Sequence, residues 1–220
     1  MPANIVRHAV ILTHPNPRSF NSAIAETYCE TVRECGQSVV LRDLYRIGFD
    51  PALKADEQPG PMFAMSADVR VEWDAVKGSD MFTLIFPIWF GLPPAMMKGY
   101  VDRVVGAGVT PRQIQERDGC GLLRGSNLLS ISTSGAPEAW LDEQGQQEAL
   151  RDVASRYLFR AFAMKTASTL HFGGIVQDLP KRVVDEHLHT VRERTRKLCA
   201  RLAVEKRDRA LPPKISCSEH

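Results

Sequence analysis

Two segments of the 220-residue chain combine a continuously apolar run, a short polar loop and a helical stripe. In the first segment, residues 9–14 are apolar up to a polar end, as expected of a strand that helices bury on both faces. A loop at residues 14–21 follows. Apolar side chains then recur at helical spacing up to Gly36, a residue type that favours the end of a helix. This segment therefore predicts a buried strand, a loop and a helix in succession.

The second segment begins with the apolar run at residues 81–86, which ends at Pro87. Pro93 and Pro94 suit the first turn of a helix, and apolar residues continue at helical spacing up to Gly106. The same succession of strand, loop and helix is therefore predicted a second time.

The remaining pattern extends this alternation along the chain. Further strands are predicted at residues 38–44, 127–132 and 167–172, further helices at about 69–76, 143–164 and 184–202, and a long irregular excursion at 46–60. Five strands that alternate with helices imply a parallel, doubly wound α/β sheet. A Rossmann order and a flavodoxin-like order fit this pattern equally, and both bind ligands beyond the carboxyl ends of the strands. Functional residues are therefore expected in the loops after the first, third and fourth strands.

The composition predicts one soluble domain. Hydrophobic residues make up 44% of the chain and Gly and Pro are spread along it, so we expect one domain at residues 1–206 and a tail at 207–220. The 28 basic and 26 acidic residues leave a net charge of +2, which gives no electrostatic reason to bind nucleic acid. The N-terminal apolar run is too short for a signal peptide or a membrane span. A cytoplasmic protein without membrane insertion is expected.

The five cysteines form no Cys-x-x-Cys pair and accompany no His cluster, so reduced thiols and no metal site are predicted. Cys29 and Cys35 lie six residues apart on a predicted helix and are expected to point to different faces. A disulfide between these two is not expected.

The first loop, residues 14–21, joins a strand to a helix N-terminus. It supplies Arg18, Ser19 and Asn21 beside free backbone N–H groups, which favour an anion such as a phosphate. Alternatively, Ser19 or Asn21 acts only as a helix N-cap. The glycine fingerprint of dinucleotide-binding folds and the Walker motif are both absent from the sequence, so a different mode of phosphate binding is required.

The second loop, residues 86–94, places Trp89, Phe90 and Gly91 where a strand leaves the sheet. Two aromatic side chains offer a flat surface to a planar ligand, and a glycine lets the backbone approach a ring closely. The alternative is that both aromatics are packing residues. The position of the loop at a strand end favours ligand binding.

The third loop, residues 133–140, carries Thr133, Ser134, Gly135 and Ala136 before Trp140. Small residues at a strand end suit backbone donation to ring carbonyls, and fixed N–H dipoles there stabilise negative charge on a ligand. A simple Gly-Pro turn is the alternative. The segment lacks the Gly-x-Ser-x-Gly spacing of a nucleophile elbow, which disfavours a serine hydrolase.

Several motifs recur in order from about residue 9 to residue 175. They are His14-x-x-x-x-Ser-Phe-Asn21, Asp43-Leu-Tyr45, a proline-rich aromatic run from Phe86 to Lys98-Gly99, Ser132-Thr-x-Gly135 and His171-Phe-x-Gly174. Together they resemble the NAD(P)H dehydrogenases (quinone) of the flavodoxin-like superfamily. The resemblance implies a flavodoxin-like three-layer α/β sandwich, with a five-stranded parallel sheet in the order 2-1-3-4-5. It also implies a homodimer with the site at the interface.

The resemblance also implies the ligand contacts. His14, Ser19, Phe20 and Asn21 are expected at the phosphate side of a flavin, Pro87, Ile88, Trp89 and Phe90 at its ring, and Thr133, Ser134, Gly135 and Ala136 at its pyrimidine end. Arg18, Gly91 and Trp140 complete the expected cofactor-binding set. The implied cofactor is FAD or FMN, with NAD(P)H as the implied co-substrate.

The expected activity is two-electron reduction of a quinone-like small acceptor by ping-pong hydride transfer. A reductase of azo compounds, nitro compounds or free flavin is one alternative, and a non-catalytic electron carrier or regulatory subunit is another. No side chain is assigned a catalytic role. Trp140 and the Gln-rich run at 144–147 stand where animal members of the family have a tyrosine and a histidine, and His171 is interpreted as a packing residue within a strand.

Overall fold

A five-stranded parallel sheet organises the computed structural model, which describes residues 5–116 and 121–210. Its strands are β1 (Arg7–Leu12), β2 (Ser38–Asp43), β3 (Met81–Pro87), β4 (Asn127–Thr133) and β5 (Thr166–Phe172). They lie side by side in the order β2-β1-β3-β4-β5, and every neighbouring pair is parallel. This order is flavodoxin-like, so it decides between the two topologies that the sequence pattern left open and confirms the predicted fold.

Helices cover both faces of the sheet. On one face lie α1 (Phe20–Glu34) and α8 (Lys181–Ala210), and the other helices are α2 (Ala67–Val76), α3 (Ala95–Tyr100), α4 (Pro111–Gln115), α5 (Glu138–Glu143), α6 (Gln146–Arg151) and α7 (Tyr157–Ala161). Neighbouring strand residues point to opposite faces: Val10 packs with α1 and α8, whereas Ile11 packs in the second core beside Met97 and Leu158. Burial on both faces explains the largely apolar sequences of β1 and β3.

Two predicted elements differ in extent from the structure. The first strand begins at Arg7 and ends at Leu12, two residues earlier than the apolar run suggested. The helix predicted at about 143–164 is present with shorter bounds: it begins at Gln146 with α6, continues through a π-helical turn at Asp152–Arg156 and ends with α7 at Ala161. Gly145 separates α5 from α6 because its φ of +66° is left-handed and cannot continue a helix.

A buried arginine fixes the excursion that follows β2. Arg103 lies in a π-helical turn, Val101–Val105, directly after α3, and its side chain is fully buried. Its guanidinium donates from Nε to Glu57 Oε2 at 2.7 Å and pairs with Asp68 Oδ2 at 2.8 Å. It also donates to the Asp50 carbonyl. Hydrogen bonding from Arg103 lowers the pKa of Glu57, and the charged pair holds residues 50–68 against the helix.

A second buried polar chain crosses the layer of α1 and α8. The Tyr28 hydroxyl donates to His8 Nδ1, His8 Nε2 donates to Gln37 Oε1, and Gln37 Nε2 donates to the Cys199 carbonyl, each at 2.8 Å. Both ring nitrogens of the neutral His8 imidazole are therefore hydrogen-bonded, Nδ1 as an acceptor and Nε2 as a donor. Burial lowers the pKa of His8 to about 4, against a smaller opposing effect of the Gln37 bond.

The remaining sequence predictions have mixed outcomes. Cys29 is buried and Cys35 is exposed, so the two do point to different faces as predicted. Cys120, Cys217 and residues 211–220 of the predicted tail lie outside the described residues, and α8 continues to Ala210. Within the described residues, we find no helix with the length and apolar character needed to cross a membrane.

Candidate functional site

The first, second and third loops meet at the carboxyl edge of the sheet. The His14 and Trp89 rings pack edge to face with their centroids 6.0 Å apart, which joins the first loop to the second. Asn21 Nδ2 donates to Thr133 Oγ1 at 2.8 Å, which joins the first loop to the third. The Ile88 N–H donates to the Thr133 carbonyl at 2.7 Å, which joins the second to the third. Three segments that are distant in sequence thus form one site.

The first loop presents unpaired backbone donors at the start of α1. Ser19 is the N-cap, because its Oγ accepts from the Ser22 N–H at 3.1 Å. The N–H groups of Phe20 and Asn21 find no acceptor in the part of the chain that the structure describes. A helix N-terminus with two open N–H groups favours an anion. The cap interpretation of Ser19 and the anion interpretation of the loop therefore hold together.

Asn21 is buried, with 3% of its surface exposed, although only one of the two polar atoms of its carboxamide has a hydrogen-bond partner in the described part of the chain. Nδ2 is bonded to Thr133, whereas Oδ1 has no partner among the described residues. A buried polar atom without a partner is costly, so such atoms are rare in folded proteins. Its position between the first and third loops marks a place where a polar ligand group fits.

Three other predicted residues of the first loop behave differently. The Phe20 ring packs edge to face with Phe172 at 6.0 Å and near His187 at 5.9 Å, so only its backbone N–H is available to the loop. Arg18 is exposed, and its side chain makes no bond to the described part of the chain. Burial lowers the pKa of His14, against an opposing hydrogen bond to the Asn16 backbone, so its imidazole is neutral near pH 7.

The second loop contains a tight turn that displays an aromatic ring. Trp89 and Leu92 exchange two backbone hydrogen bonds, of 3.0 and 3.2 Å, around Phe90 and Gly91. Both central residues are left-handed, with φ of +50° for Phe90 and +84° for Gly91. This conformation costs a non-glycine residue about 1–2 kcal/mol. The Phe90 side chain is fully exposed, so packing within this chain does not account for it.

Gly91 has a local structural role, in addition to any role toward a ligand. Its left-handed φ favours glycine, and a Cβ there would overlap the side-chain amide nitrogen of Gln146. Gln146 begins α6 and so brings a carboxamide beside the aromatic turn. The sequence indicated only a Gln-rich run, and the orientation of this residue depends on the left-handed Gly145, which the sequence pattern did not reveal.

The third loop has two backbone N–H groups without an acceptor among the described residues, and one of them belongs to a glycine with free space beside its Cα. The loop is fixed by backbone bonds from Ser134 to Phe172 at 3.0 Å and from Gly174 to the Ala136 carbonyl at 2.9 Å. The N–H groups of Gly135 and Ala136 have no acceptor among the described residues. A Cβ at Gly135 would meet only the Ile175 carbonyl, at 3.8 Å, and its φ is not left-handed. Nothing described in the chain itself requires glycine there.

Two further residues lie beside the third loop. His171 lies in β5, as predicted, and its ring contacts the hydroxyls of Ser132 and Ser134. Burial lowers its pKa, against the smaller opposing charge of Glu138. Trp140 lies on α5 with 51% of its surface exposed, and no described aromatic ring stacks on it.

An apolar groove adjoins the second loop. It has a volume of about 690 Å³ and runs between α3 and α7 over β3. Its walls include Phe86, Met97 and Leu158, and its rim carries Leu92, Val153 and Tyr157, each more than half exposed. The two π-helical turns, at Val101–Val105 and Asp152–Arg156, border it. Exposed apolar surface of this kind marks a binding face.

Taken together, the sheet order and the three loops at the carboxyl edge define a flavodoxin-like α/β protein with a candidate site at its topological switch point. The sequence matches the family described as having a Flavodoxin-like fold over residues 7–195. The chain belongs to this family, as the motifs predicted.

Individual relatives narrow the comparison. The chain is 29% identical to an uncharacterized NAD(P)H oxidoreductase of Haemophilus influenzae over 91% of this chain and 94% of that protein. It is also 29% identical to NAD(P)H dehydrogenase (quinone) 1 of Rattus norvegicus over 59% of this chain, and this match spans about half of the rat protein, 54%.

Solved structures agree on the fold. An NAD(P)H:quinone oxidoreductase from Methanothermobacter marburgensis superposes with a TM-score of 0.73 at 23% identity, covering 88% of this chain and 99% of that one. An FMN-dependent NADH-azoreductase from Bacillus anthracis, solved in complex with FMN, superposes with a TM-score of 0.65 at 17% identity, covering 89% of this chain and all of the other.

Proposed function

We propose that this protein is a flavin-dependent NAD(P)H oxidoreductase that reduces quinones or similar small acceptors. The observation that carries the proposal is the meeting of three loops at one edge of the sheet, each with a different kind of ligand contact. An anion-binding helix N-terminus, an exposed aromatic turn and a pair of open N–H groups are the parts that a flavin needs. The names of the relatives in Haemophilus influenzae and Rattus norvegicus support the same activity.

The residues present fit a flavin. The buried Oδ1 of Asn21 lacks a hydrogen-bond donor among the described residues, and a ligand can supply one. Gly135 leaves open a space that a Cβ would fill, and this space is available to a ligand. The phosphate side would be held by Arg18, Ser19 and the N–H groups of Phe20 and Asn21, with His14 beside them. The ring would lie against Pro87, Ile88, Trp89, Phe90 and Gly91, and its pyrimidine end against Thr133, Ser134, Gly135 and Ala136. The family resemblance fits FAD or FMN, and one structurally similar protein holds FMN.

A bound flavin would supply two-electron redox chemistry between NAD(P)H and the acceptor. The protein would orient the donor and the acceptor and would stabilise charge on the flavin. Trp89 and Phe90 form one wall of a flat slot, with Trp140 on the same edge of the sheet, and donor and acceptor use this slot in turn. The open N–H groups of Gly135 and Ala136 would stabilise negative charge on the pyrimidine end of a flavin held there. His14 and His171 are neutral near pH 7, and no side chain is assigned a proton-transfer role.

A homodimer is part of the proposal. The apolar groove between α3 and α7 carries three rim residues that are more than half exposed, Leu92, Val153 and Tyr157. A second copy of the chain would cover this surface, and Leu92 belongs to the second loop, so the partner would lie beside the aromatic turn. Equilibrium sedimentation of the purified protein tests this point: a monomer at micromolar concentration would contradict it.

Steady-state and stopped-flow kinetics test the proposed activity. Flavin-loaded protein should oxidise NADH or NADPH only when an acceptor is present, and a quinone should give the parallel-line pattern of ping-pong kinetics. Trp89→Ala should slow both half-reactions, because the same wall serves both ligands. If neither nicotinamide cofactor bleaches the flavin absorbance, the reductase proposal fails and an electron carrier or regulatory subunit takes its place. A panel of quinone, azo, nitro and flavin acceptors then ranks the substrates by kcat/KM.

A further inference from the structure

Two cysteines from distant parts of the chain lie where the end of α1 meets α8, on the face of the sheet that carries both helices. Cys35 follows the last turn of α1 and Cys199 lies in α8. Contacts bracket the pair on both sides: Arg196 Nη2 lies 3.4 Å from Glu34 Oε2, and Gln37 Nε2 donates to the Cys199 carbonyl at 2.8 Å. Cys35 is also close enough to Cys199 to raise the pKa of its thiol.

The two thiols have different environments. Cys35 is exposed to solvent, whereas 1% of Cys199 is exposed. Burial, and then the neighbouring Cys35, raise the pKa of the Cys199 thiol to about 12. A dissolved oxidant therefore meets Cys35 first, while Cys199 stays protected behind it until Cys35 has reacted.

We propose that Cys35 and Cys199 are a reversible disulfide site, oxidised by hydroperoxides and closed between α1 and α8. In the first step the Cys35 thiolate attacks a peroxide oxygen, the O–O bond breaks, and a sulfenic acid forms with release of hydroxide or alkoxide. In the second step the Cys199 sulfur gives up its proton and attacks the Cys35 sulfur, the S–O bond breaks, and water leaves. The two thiols lose two electrons in total, and the peroxide gains them.

The site is separate from the proposed flavin site and from the apolar groove. The groove lies on the side of the sheet that carries α3 and α7, whereas Cys35 and Cys199 lie on the opposite side. Cys35 therefore stays accessible in a dimer formed through the groove. The disulfide would close a loop that contains four of the five strands, β2 to β5, and so it restricts the unfolded chain far more than the folded one.

The experiment treats the full-length protein with hydrogen peroxide, blocks remaining thiols by alkylation and maps peptides by mass spectrometry without reduction. A peptide pair that links Cys35 to Cys199 is expected, and dithiothreitol should release it. The oxidised protein should melt higher than the reduced one by roughly 5–15 °C. Cys35→Ser should abolish both the linked pair and the shift on oxidation.

Two further variants keep the test independent of folding defects. Cys29→Ser changes a buried thiol on the same helix, and this variant should still form the linked pair and show the shift when its own reduced and oxidised forms are compared. Cys199→Ala should leave Cys35 as an unlinked sulfenic or sulfinic acid. The proposal is overturned if wild-type Cys35 is oxidised without any link to Cys199, or if Cys35 pairs with another cysteine or another chain instead.

Discussion

His171 Nε2 lies 3.1 Å from Ser134 Oγ, and this contact ties the last strand of the sheet to the loop that carries Gly135. Ser134 Oγ donates its own proton to the Ala136 carbonyl at 2.8 Å, so the histidine Nε2 must be the donor. The other ring nitrogen, Nδ1, then accepts from Ser132 Oγ at 2.9 Å. The neutral Nε2–H tautomer therefore holds two serines and, through them, the shape of the third loop.

Replacing His171 by Leu should loosen this loop. The Ser132 and Ser134 hydroxyls would lose a partner in a buried place, which costs about 1–3 kcal/mol of unfolding free energy. We expect weaker flavin binding together with this loss, measured by urea unfolding and by flavin fluorescence titration. His189→Leu, an exposed position on α8, is the matched control and should change neither. Equal effects of the two substitutions would show that the His171 contacts do not shape the loop.

Gly135→Val should separate ligand binding from folding. A Cβ at Gly135 meets only the Ile175 carbonyl, at 3.8 Å, so the fold has space at this position. A valine side chain would occupy the space proposed for the flavin. We expect a nearly unchanged melting temperature and flavin affinity lower by at least about tenfold, or 1.4 kcal/mol. Gly60→Val provides the control, because a Cβ there meets nothing within 4 Å and its φ is not left-handed. A Gly135→Val protein that binds flavin normally would contradict the assignment of the third loop.

The buried His8 should make the protein less stable in mild acid. Its pKa is about 4 in the folded protein and about 6.5 for an unperturbed histidine in the unfolded chain, so the unfolded chain binds the extra proton first. Stability should be intact above about pH 6.5 and should fall as the pH drops toward 4, by about 3 kcal/mol in total from this group. Urea unfolding at a series of pH values measures the slope. His8→Gln should flatten it, and an unchanged slope in that variant would rule out His8 as its source.

The Arg103 cluster should be a major source of stability. Arg103→Met would leave the carboxylates of Glu57 and Asp68 without their buried cationic partner. Breaking a buried ion pair in this way lowers the free energy of unfolding by about 3–5 kcal/mol. The comparison is Arg182→Met, because Arg182 pairs with Glu186 while 82% of its side chain is exposed, and such pairs contribute less than about 1 kcal/mol. Urea midpoints for both variants check the prediction. A loss at Arg103 no larger than at Arg182 would refute it.

The sequence was sufficient to predict the parts of the fold that depend on local pattern. Largely apolar runs predicted the buried strands β1 and β3, and both β3 and β4 follow their predicted residues closely. The loops after them could be named as candidate sites because parallel strands end at one edge of the sheet. The motif order then predicted the sheet order that the hydrogen bonds show.

Features that depend on contacts between distant residues were not predictable in this way. The bond between Asn21 and Thr133 joins positions 112 residues apart and exists only once β1 and β4 lie in the same sheet. The burial of Arg103 against Glu57 is equally non-local, since a charged residue in a helical stripe is usually a solvated one. The break at Gly145, and with it the placement of Gln146 against Gly91, depends on a backbone conformation rather than on hydrophobic spacing.

Flavin binding is the most direct test of the proposed site. Titration of the purified protein with FAD and with FMN, followed by quenching of flavin fluorescence and by the shift of the visible absorbance, gives the affinity for each. We expect saturable binding of at least one of them at micromolar concentration, with one flavin per chain. Failure of both flavins to bind at that concentration would contradict the central claim that the first, second and third loops form a flavin site.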